Sequence, residues 1–493
     1  RHRCGFRAGL AQIATAGHAE GRAVIVWQGN PTRDSIRICV RPDADGPVAF
    51  AISGISYGSV TSTQSTLDGV VVRTISGLQP DTVYPVTVVQ SDLQSEVIYA
   101  RTDPGNDAVF QIGWVSCYWN DQDAWWEDIW SRKCSDLRRR LLLGDTGYAG
   151  AVDAWGIDAR TRNTLANSAD SSVGYEKARQ SMLMPKLRAA NKRVPVLVMV
   201  DDHWYPGDNF DFSVTQLNLP VDLGATTQAQ VDAAFLAHDL SAQAYLIGNP
   251  DNTSPLAVKQ KAPTSNLLDA QFPIKYFDCR VGSVHLVVND HITGRSNVAA
   301  TDDASKYLMS QAQEAWTLDV LMNSTAPFKI WASPKNLIGI HPMNQDGWHS
   351  YRNQRDRMLA QILPNVTGLI CITGDNHSPH SALIRPDHGL GNGYLYEMCP
   401  APGSGPNTQA QVSADGYRDQ SHDEIFRYRC CGHLGDDTSL VFDGCGVVHV
   451  QGSEWMEAIC YDRRGAARFR SGKIYQNSNQ PIGQRPTVRR VVR

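Results

Sequence analysis

Four apolar runs, each ending in a short cluster of ligand-type side chains, set the tightest limit on how this chain can fold. The runs occupy 110–115, 141–143, 194–200 and 367–373 and read as buried β-strands. The clusters behind them are Ser116-Cys117, Gly144-Asp145-Thr146-Gly147-Tyr148, Asp201-Asp202-His203 and Gly374-Asp375-Asn376-His377. Carboxylate, thiolate, phenol and imidazole groups are thus delivered repeatedly to the ends of strands. Strand ends of one sheet are neighbours in space, so a fold of this kind can assemble one metal site from distant parts of the sequence.

Composition sets the outer bounds. The 493 residues provide for a large core and more than one domain. With 42% hydrophobic and 19% charged residues the chain is an ordinary globular one. A net charge of −4 gives no basic field for nucleic acid or an anionic membrane, and nucleic acid is not an expected partner. The sequence contains no apolar stretch long enough for a membrane-spanning helix. It begins with Arg rather than Met, which reads as a trimmed or processed chain. Eleven cysteines suggest a secreted or periplasmic protein with some disulfides, and Cys399, Cys430, Cys431, Cys445 and Cys460 are concentrated near the carboxyl end.

The organisation along the chain is that of an all-β module succeeded by an α/β one. Residues 1–103 alternate apolar and polar residues between Gly, Pro, Asn and Asp turns, as in a β-sandwich. The stretch Ile75 to Tyr84, with Pro80-Asp81 at its turn, is similar to the corner of a fibronectin type III domain. The expected role of this module is to pack against the larger α/β one, through a linker at 101–106. Residues 104–462 alternate strands with amphipathic helices, expected at 121–140, 174–190, 229–246, 303–323 and 351–363. Further strands are expected at 283–289 and 328–332. The economical architecture is an α/β (α+β) layered domain, two packed β-sheets flanked by helices. The tail, 463–493, carries nine basic residues and no acidic one, and reads as a solvated, partly disordered extension.

Each cluster admits specific chemistry. Asp145 and Tyr148 share one glycine-freed loop, and a phenolate beside a carboxylate suits a hard ion, ferric iron above all. Asp201 and Asp202 adjoin at a strand end, where mutual repulsion and desolvation are relieved by cations. Successive side chains of a strand point to opposite sides, so one Asp is expected to face the metals and the other to orient the loop. Asn209 could add a further oxygen ligand. Asp375 and His377 lie two apart, on one side if the backbone stays extended, with His380 nearby. Cys117 fits either a thiolate ligand or a small buried apolar residue. Arg295 and Arg355 would bring fixed positive charge to an anionic substrate.

With those residues in place, the chain resembles the PhoD-like alkaline phosphatases, a branch of the metallophosphoesterases. The family has a fibronectin-type sandwich before its catalytic domain. Its Ser-Cys pair is matched by Ser116-Cys117, and its Gly-Asp with a Tyr three residues on by Gly144, Asp145 and Tyr148. Its Asp-Asp-His with a later Asp-Asn is matched by Asp201-Asp202-His203 and Asp208-Asn209. Its Asp-Thr-Arg-x-x-Arg corresponds to residues 290–295, and its Trp-x-x-Tyr then Arg to Trp348, Tyr351 and Arg355. Its Gly-Asp-x-His-Ser is matched by Gly374, Asp375, His377 and Ser378. The order agrees over nearly the whole chain.

The resemblance implies a phosphoric ester hydrolase, in first place a phosphomonoesterase acting through a metal-activated water or oxide. It also implies a ferric ion with one or two calcium ions, held by Cys117, Asp145, Tyr148, Asp201, Asp202, Asn209, Asp375 and His377. His203, Arg295 and Arg355 are then phosphate clamps or orienting groups, and His377 a ligand or the acid that protonates the leaving alkoxide. The same site could instead cleave phosphodiesters, in the manner of phospholipase D, and a non-catalytic surface protein is the third alternative. Departures from the pattern are Ile292 in place of an Arg, Trp204 in place of a Glu, and the short Thr146-Gly147 loop. They fall around the expected substrate mouth.

Overall fold

The computed structural model describes residues 24–65, 67–90, 94–119, 124–144, 146–148, 182–204, 227–259, 273–337, 347–375, 379–384, 395–400, 426–430 and 444–476. Its first seven strands are β1 (Ile25–Gln28), β2 (Ser35–Arg41), β3 (Gly46–Ile52), β4 (Ile55–Ser62), β5 (Val71–Ser76), β6 (Val83–Gln90) and β7 (Gln94–Arg101). They form two antiparallel sheets, ordered β1-β2-β5 and β4-β3-β6-β7. Alternate residues such as Ile36, Ile38 and Val40 of β2 and Val48, Phe50 and Ile52 of β3 fill the space between them. The Tyr84 hydroxyl accepts a 2.8 Å hydrogen bond from the Gln79 amide, which closes the corner anticipated from the sequence.

The remaining strands build two seven-stranded mixed sheets. One is ordered β12 (Val196–Met199), β10 (Leu137–Leu143), β8 (Val109–Val115), β20 (Gly444–Gln451), β21 (Trp455–Asp462), β22 (Ala467–Arg470), with β23 (Ile474–Tyr475) also pairing β21. The other is ordered β13 (Phe277–Val281), β14 (Val284–Val288), β15 (Phe328–Ser333), β16 (Leu369–Thr373), β18 (Tyr396–Cys399), β17 (His380–Ile384), β19 (Phe426–Cys430). A short parallel pair, β9 (Tyr118–Trp119) with β11 (Thr146–Tyr148), stands beside the first sheet.

The period-two pattern of these strands produces the layering. Leu141 and Leu143 of β10 and Leu197 and Met199 of β12 face inward, against Ile330 and Ala332 of β15 and Ile370 and Ile372 of β16. On the outer face of the first sheet, Leu142, Val196 and Val198 pack with α1 (Trp126–Lys133), α2 (Pro185–Asn191) and α3 (Gln228–Leu246). On the outer face of the second, Trp331 and Cys371 pack with α4 (Gln311–Met322) and α5 (Arg352–Asn365). Both faces of each sheet are buried, as parallel strands require. The expected two sheets flanked by helices, preceded by an all-β sandwich, are what form.

Several expectations are corrected. The helix expected over 121–140 ends at Lys133, and 137–143 is strand β10. Arg138, Arg139 and Arg140, which that helix would have contained, are buried and ion-paired: Arg138 to Asp81 at 2.5 Å, Arg139 to Asp103 at 2.7 Å, Arg140 to Glu127 at 2.8 Å. The linker over 101–106 is no free tether, because Thr102 and Asp103 are buried in that contact. The basic tail starts as structure: β22 and β23 extend the first sheet, since Phe469 and Ile474 bury in its inner core. Disulfides do not form among the described cysteines. No disulfide joins Cys39, Cys117, Cys134, Cys279, Cys371, Cys399, Cys445 or Cys460, most of them buried among apolar side chains. There burial pushes Cys39 and Cys279 up to about 12, so they stay protonated and unreactive. No helix among the described residues is long and apolar enough to cross a membrane.

Burial pushes the Asp103 carboxyl above its ordinary value despite Arg139 beside it, so this pair holds charge where charge is costly. Arg139→Met should therefore strand a buried carboxylate and lower stability by roughly 3–5 kcal/mol. The double variant Arg139→Met/Asp103→Leu should recover most of that loss. Urea denaturation of the three proteins checks this; a double variant no more stable than Arg139→Met would show that the arginine contributes by packing alone.

Candidate metal centre

The parallel strands of the two sheets end at one place. In the first sheet β8, β10 and β12 run parallel, and in the second β14, β15, β16 and β18 do. Carboxyl ends of parallel strands form the usual binding edge of such sheets. The chain leaves β12 into Asp201 and a 3-10 turn over Asp202–Trp204, and leaves β16 into Gly374 and Asp375. The carboxylates of Asp201, Asp202 and Asp375 come together there, with one oxygen from each lying within 4.8 Å of the others. All three residues are buried or nearly so.

Close backbone contacts bring the ends this near. At Gly144 a Cβ would lie 2.7 Å from the Asp201 carboxylate, and at Gly374 one would lie 2.5 Å from the Leu143 carbonyl oxygen and 2.7 Å from Ser116. Only glycine fits at either position. Ser116 Oγ accepts a 2.8 Å hydrogen bond from the Asp375 amide and lies 3.1 Å from Cys117 Sγ. The pairing of β9 with β11 sets Tyr118 opposite Thr146 and Trp119 opposite Tyr148. Every one of the four clusters is therefore joined to another by a direct contact. Cys117 and Asp375 both adopt left-handed backbone, with φ of 55° and 63°, a strained geometry for non-glycine residues that concentrates at functional sites.

The carboxylates surround a cation supplied by the chain itself. Lys335, two residues past the end of β15, places Nζ 2.7 Å from Asp375 Oδ1, 2.9 Å from Asp202 Oδ1 and 3.1 Å from Asp201 Oδ1. Its side chain is fully buried. The donor set thus suits positive charge, and carboxylate oxygens are appropriate ligands for calcium and other hard ions.

A family profile described as PhoD-like phosphatase matches residues 112–425, more than half of the chain. The chain belongs to the PhoD-like phosphatase family. Among solved structures it is similar to one titled "Structure of PhoD", at 17% identity and a TM-score of 0.67, covering 94% of this chain and 92% of that one. It is also similar to the purple acid phosphatase PPD1 from yellow lupin (Lupinus luteus) seeds, at 9% identity and a TM-score of 0.51, covering 90% and 72%. These likenesses concern the fold. No curated protein matches the sequence.

Against the family pattern, the structure sorts the candidate residues. Asp201, Asp202 and Asp375 converge, and Cys117 stands beside them through Ser116. Asp201 and Asp202 do not diverge as a strand end would make them. The 3-10 turn begins at once, with Trp204 N bonded to Asp201 O at 3.0 Å, and both carboxylates reach Lys335. Asp145, Asn209 and His377 lie outside the described residues. So do the side chains of Tyr148 and His203, whose backbones are placed in β11 and in the turn after Asp201. Extended geometry does not persist through Asp375, whose positive φ removes that reason for setting His377 on its side. His380 is buried, its Nε2 3.3 Å from Glu397 Oε1.

The arginines are both buried. Arg355 donates to the Leu337 carbonyl at 2.9 Å and to Asp356 at 2.8 Å, which ties it to the loop that carries Lys335. Arg295 lies near His291, whose pKa it helps to lower. Asp290 shapes that loop by accepting the amides of Ile292 and Thr293 at 2.9 and 3.0 Å. Burial alone would raise its carboxyl, but Lys275 and those hydrogen bonds bring it below the ordinary range. Ile292 is fully buried in the apolar core beneath, where the family's Arg would have needed a partner.

Two residues outside the sequence pattern also belong to this region. Lys335 comes after strand 328–332 as the four clusters come after theirs, and looking one strand end further would have found it. His291 is buried edge-on against Trp348, with Nδ1 3.5 Å from Ser333 Oγ. Burial first, then the charges of Lys335 and Arg295, hold its pKa at about 3 although Asp290 pulls upward. A neutral imidazole of this kind cannot act as a phosphate cation.

An unfolded histidine titrates near 6.5, so between about pH 6.5 and 3 the unfolded chain binds a proton that the folded one does not. Stability from His291 is therefore complete above that window and is lost as pH falls through it. Urea unfolding at pH 7.5 and 4.5 should show a stability difference smaller by roughly 2 kcal/mol in His291→Asn than in the wild type. Equal differences would mean that His291 is protonated in the folded protein.

Proposed function

We propose that this chain is a metal-dependent phosphomonoesterase of the alkaline phosphatase type, with Fe(3+) and Ca(2+) as its ions and small phosphate esters as substrates. The observation that carries the reading is the convergence of Asp201, Asp202 and Asp375 at the shared strand edge of a PhoD-like phosphatase fold. Asp201, Asp202 and Asp375 would hold cations, with Cys117, Asp145, Tyr148, Asn209 and His377 completing the set. Thiolate and phenolate favour ferric iron, and carboxylate and amide oxygens favour calcium. Such ions supply Lewis acidity to phosphate oxygens and lower the pKa of coordinated water.

The protein groups do the positioning. Burial of the three carboxylates excludes bulk water from the reacting edge, which strengthens every charge interaction there. Arg295 contributes fixed positive charge for the phosphate oxygens. Arg355 orients the Lys335 loop through Leu337 O rather than reaching outward first. His203 and His377 are the candidates for holding the phosphate and for passing a proton to the leaving alkoxide. An exported location, secreted or periplasmic, suits scavenging of phosphate from esters.

Two measurements test this. Turnover of the monoester and diester of one aryl phosphate should favour the monoester, with Asp375→Asn losing at least 100-fold in kcat/KM while its melting curve stays cooperative (~10²-fold, about 2.7 kcal/mol of transition-state stabilisation). A strong preference for the diester would replace the reading with a phosphodiesterase, and no hydrolysis of either by protein that holds its metals would replace it with a non-catalytic protein. Elemental analysis should find iron and calcium, and the purified protein should absorb visible light through a ferric phenolate that Tyr148→Phe bleaches. An active, colourless protein without iron would end the iron assignment.

A further inference from the structure

Lys335 is placed as a metal ion would be. Three carboxylates from two different sheets each turn Oδ1 toward one Nζ, at 2.7–3.1 Å, in a fully buried position. A lysine on a loose loop would lose side-chain entropy to reach such a point, and here the loop is fixed on both sides. Ser333 Oγ donates to the Lys335 carbonyl and accepts a 3.2 Å bond from Trp348 Nε1. Downstream, the Leu337 amide donates to Glu397 Oε1 at 2.8 Å, and its carbonyl accepts from Arg355. Both the backbone around Lys335 and its side-chain end point are therefore determined by buried partners.

We propose that Lys335 is a resident counter-cation that permanently takes one cation position of this centre, so that the protein binds one metal ion fewer than its carboxylates would otherwise hold. The inference rests on the reading of these residues as a metal centre. Charge supports it: the ammonium neutralises one of the three negative charges that bound cations would otherwise have to balance. Distance supports it too. An ammonium hydrogen-bonded to all three Oδ1 atoms excludes a second ion from the point they share, because two cations at that separation would repel strongly in a water-poor site. The ammonium also gives the three carboxylates a partner before any metal arrives, so the strand ends can pack during folding. It acts as a positioning residue: it sets where and how many ions bind, without itself touching the reacting atoms.

The test counts metal and does not depend on turnover. Chelator-stripped wild type, Lys335→Ala and Lys335→Arg are dialysed to equilibrium against Mn2+, a hard ion suited to oxygen ligands, and bound metal per chain is measured. Lys335→Ala should bind one Mn2+ more than the wild type, and Lys335→Arg the same number as the wild type. An unchanged or lower count in Lys335→Ala overturns the proposal. Should Lys335→Ala fail to fold, the stripped wild type decides. Its melting temperature should fall by only a few degrees on removal of metal, and a collapse of the fold on stripping would overturn the proposal. Loss of ester hydrolysis with these counts intact would refute the phosphatase reading and leave Lys335 in its role.

Discussion

Three carboxylates gathered in a buried place repel one another and lose their hydration, and the rest of this structure is arranged around that cost. Each buried ion forfeits several kcal/mol of solvation, which only well-placed opposite charge recovers. Asp201, Asp202 and Asp375 come from strands of two different sheets, so their repulsion acts to separate the sheets as well as the side chains. The Lys335 ammonium answers it from the second sheet, bridging to the first through Asp201 and Asp202. A structural role and the proposed metal-holding role thus fall on the same atoms. The acidic cluster is tolerable in the fold only with positive charge inside it, which Lys335 supplies.

The backbone carries the complementary half of the design. Gly144 and Gly374 let one strand end lie against the side chain or carbonyl of another where any Cβ would collide. Cys117 and Asp375, lacking that freedom, still take positive φ, at about 1–3 kcal/mol each. The Ser116 hydroxyl holds Asp375 in this state through its amide, which couples the end of β8 to the end of β16. Strain is retained here because the two sheets and their shared inner core leave the loops no room to relax. Such a site is rigid before it meets a ligand, and rigidity of this kind favours precise placement of ions and phosphate.

Much of this was legible in the sequence, because it rests on local pattern. Apolar runs with period-two alternation gave the strands, and the ordered clusters behind them gave the family and the carboxylates. Part of what escaped has one physical cause, buried charge. Arg138 to Arg140 read as part of a helix over 121–140, but they lie in a strand, and no local pattern reveals their ion pairs with Asp81, Asp103 and Glu127. Lys335 follows a strand end as the clusters do, but its three partners are 40 to 134 residues away along the chain, and no local pattern reveals that pairing. Residues after 462 read as a basic tail, yet Phe469 and Ile474 alternate with the polar ones and complete a sheet edge. Asp201 and Asp202 were read as a strand end, whereas the turn starts there and turns both inward.

The arginine run also explains why a β-sandwich precedes the catalytic layers. Strand β10 is an inner strand of the first sheet, between β8 and β12. At its start, Arg138 and Arg139 reach across to Asp81, Asn30, Pro31 and Asp103 of the sandwich. At its end stands Gly144, against Asp201. The apolar core is continuous across the same boundary, where Trp27 of β1 stacks on Tyr245 of α3 at 5.6 Å, and Gly29 and Gly248 meet backbone to backbone. Buried ion pairs and a shared core thus hold the sandwich against the layered domain. Its position fixes the start of the strand whose end lies against the acidic cluster. The sandwich therefore serves the site as a buttress, a role set by where its charges go rather than by any chemistry of its own.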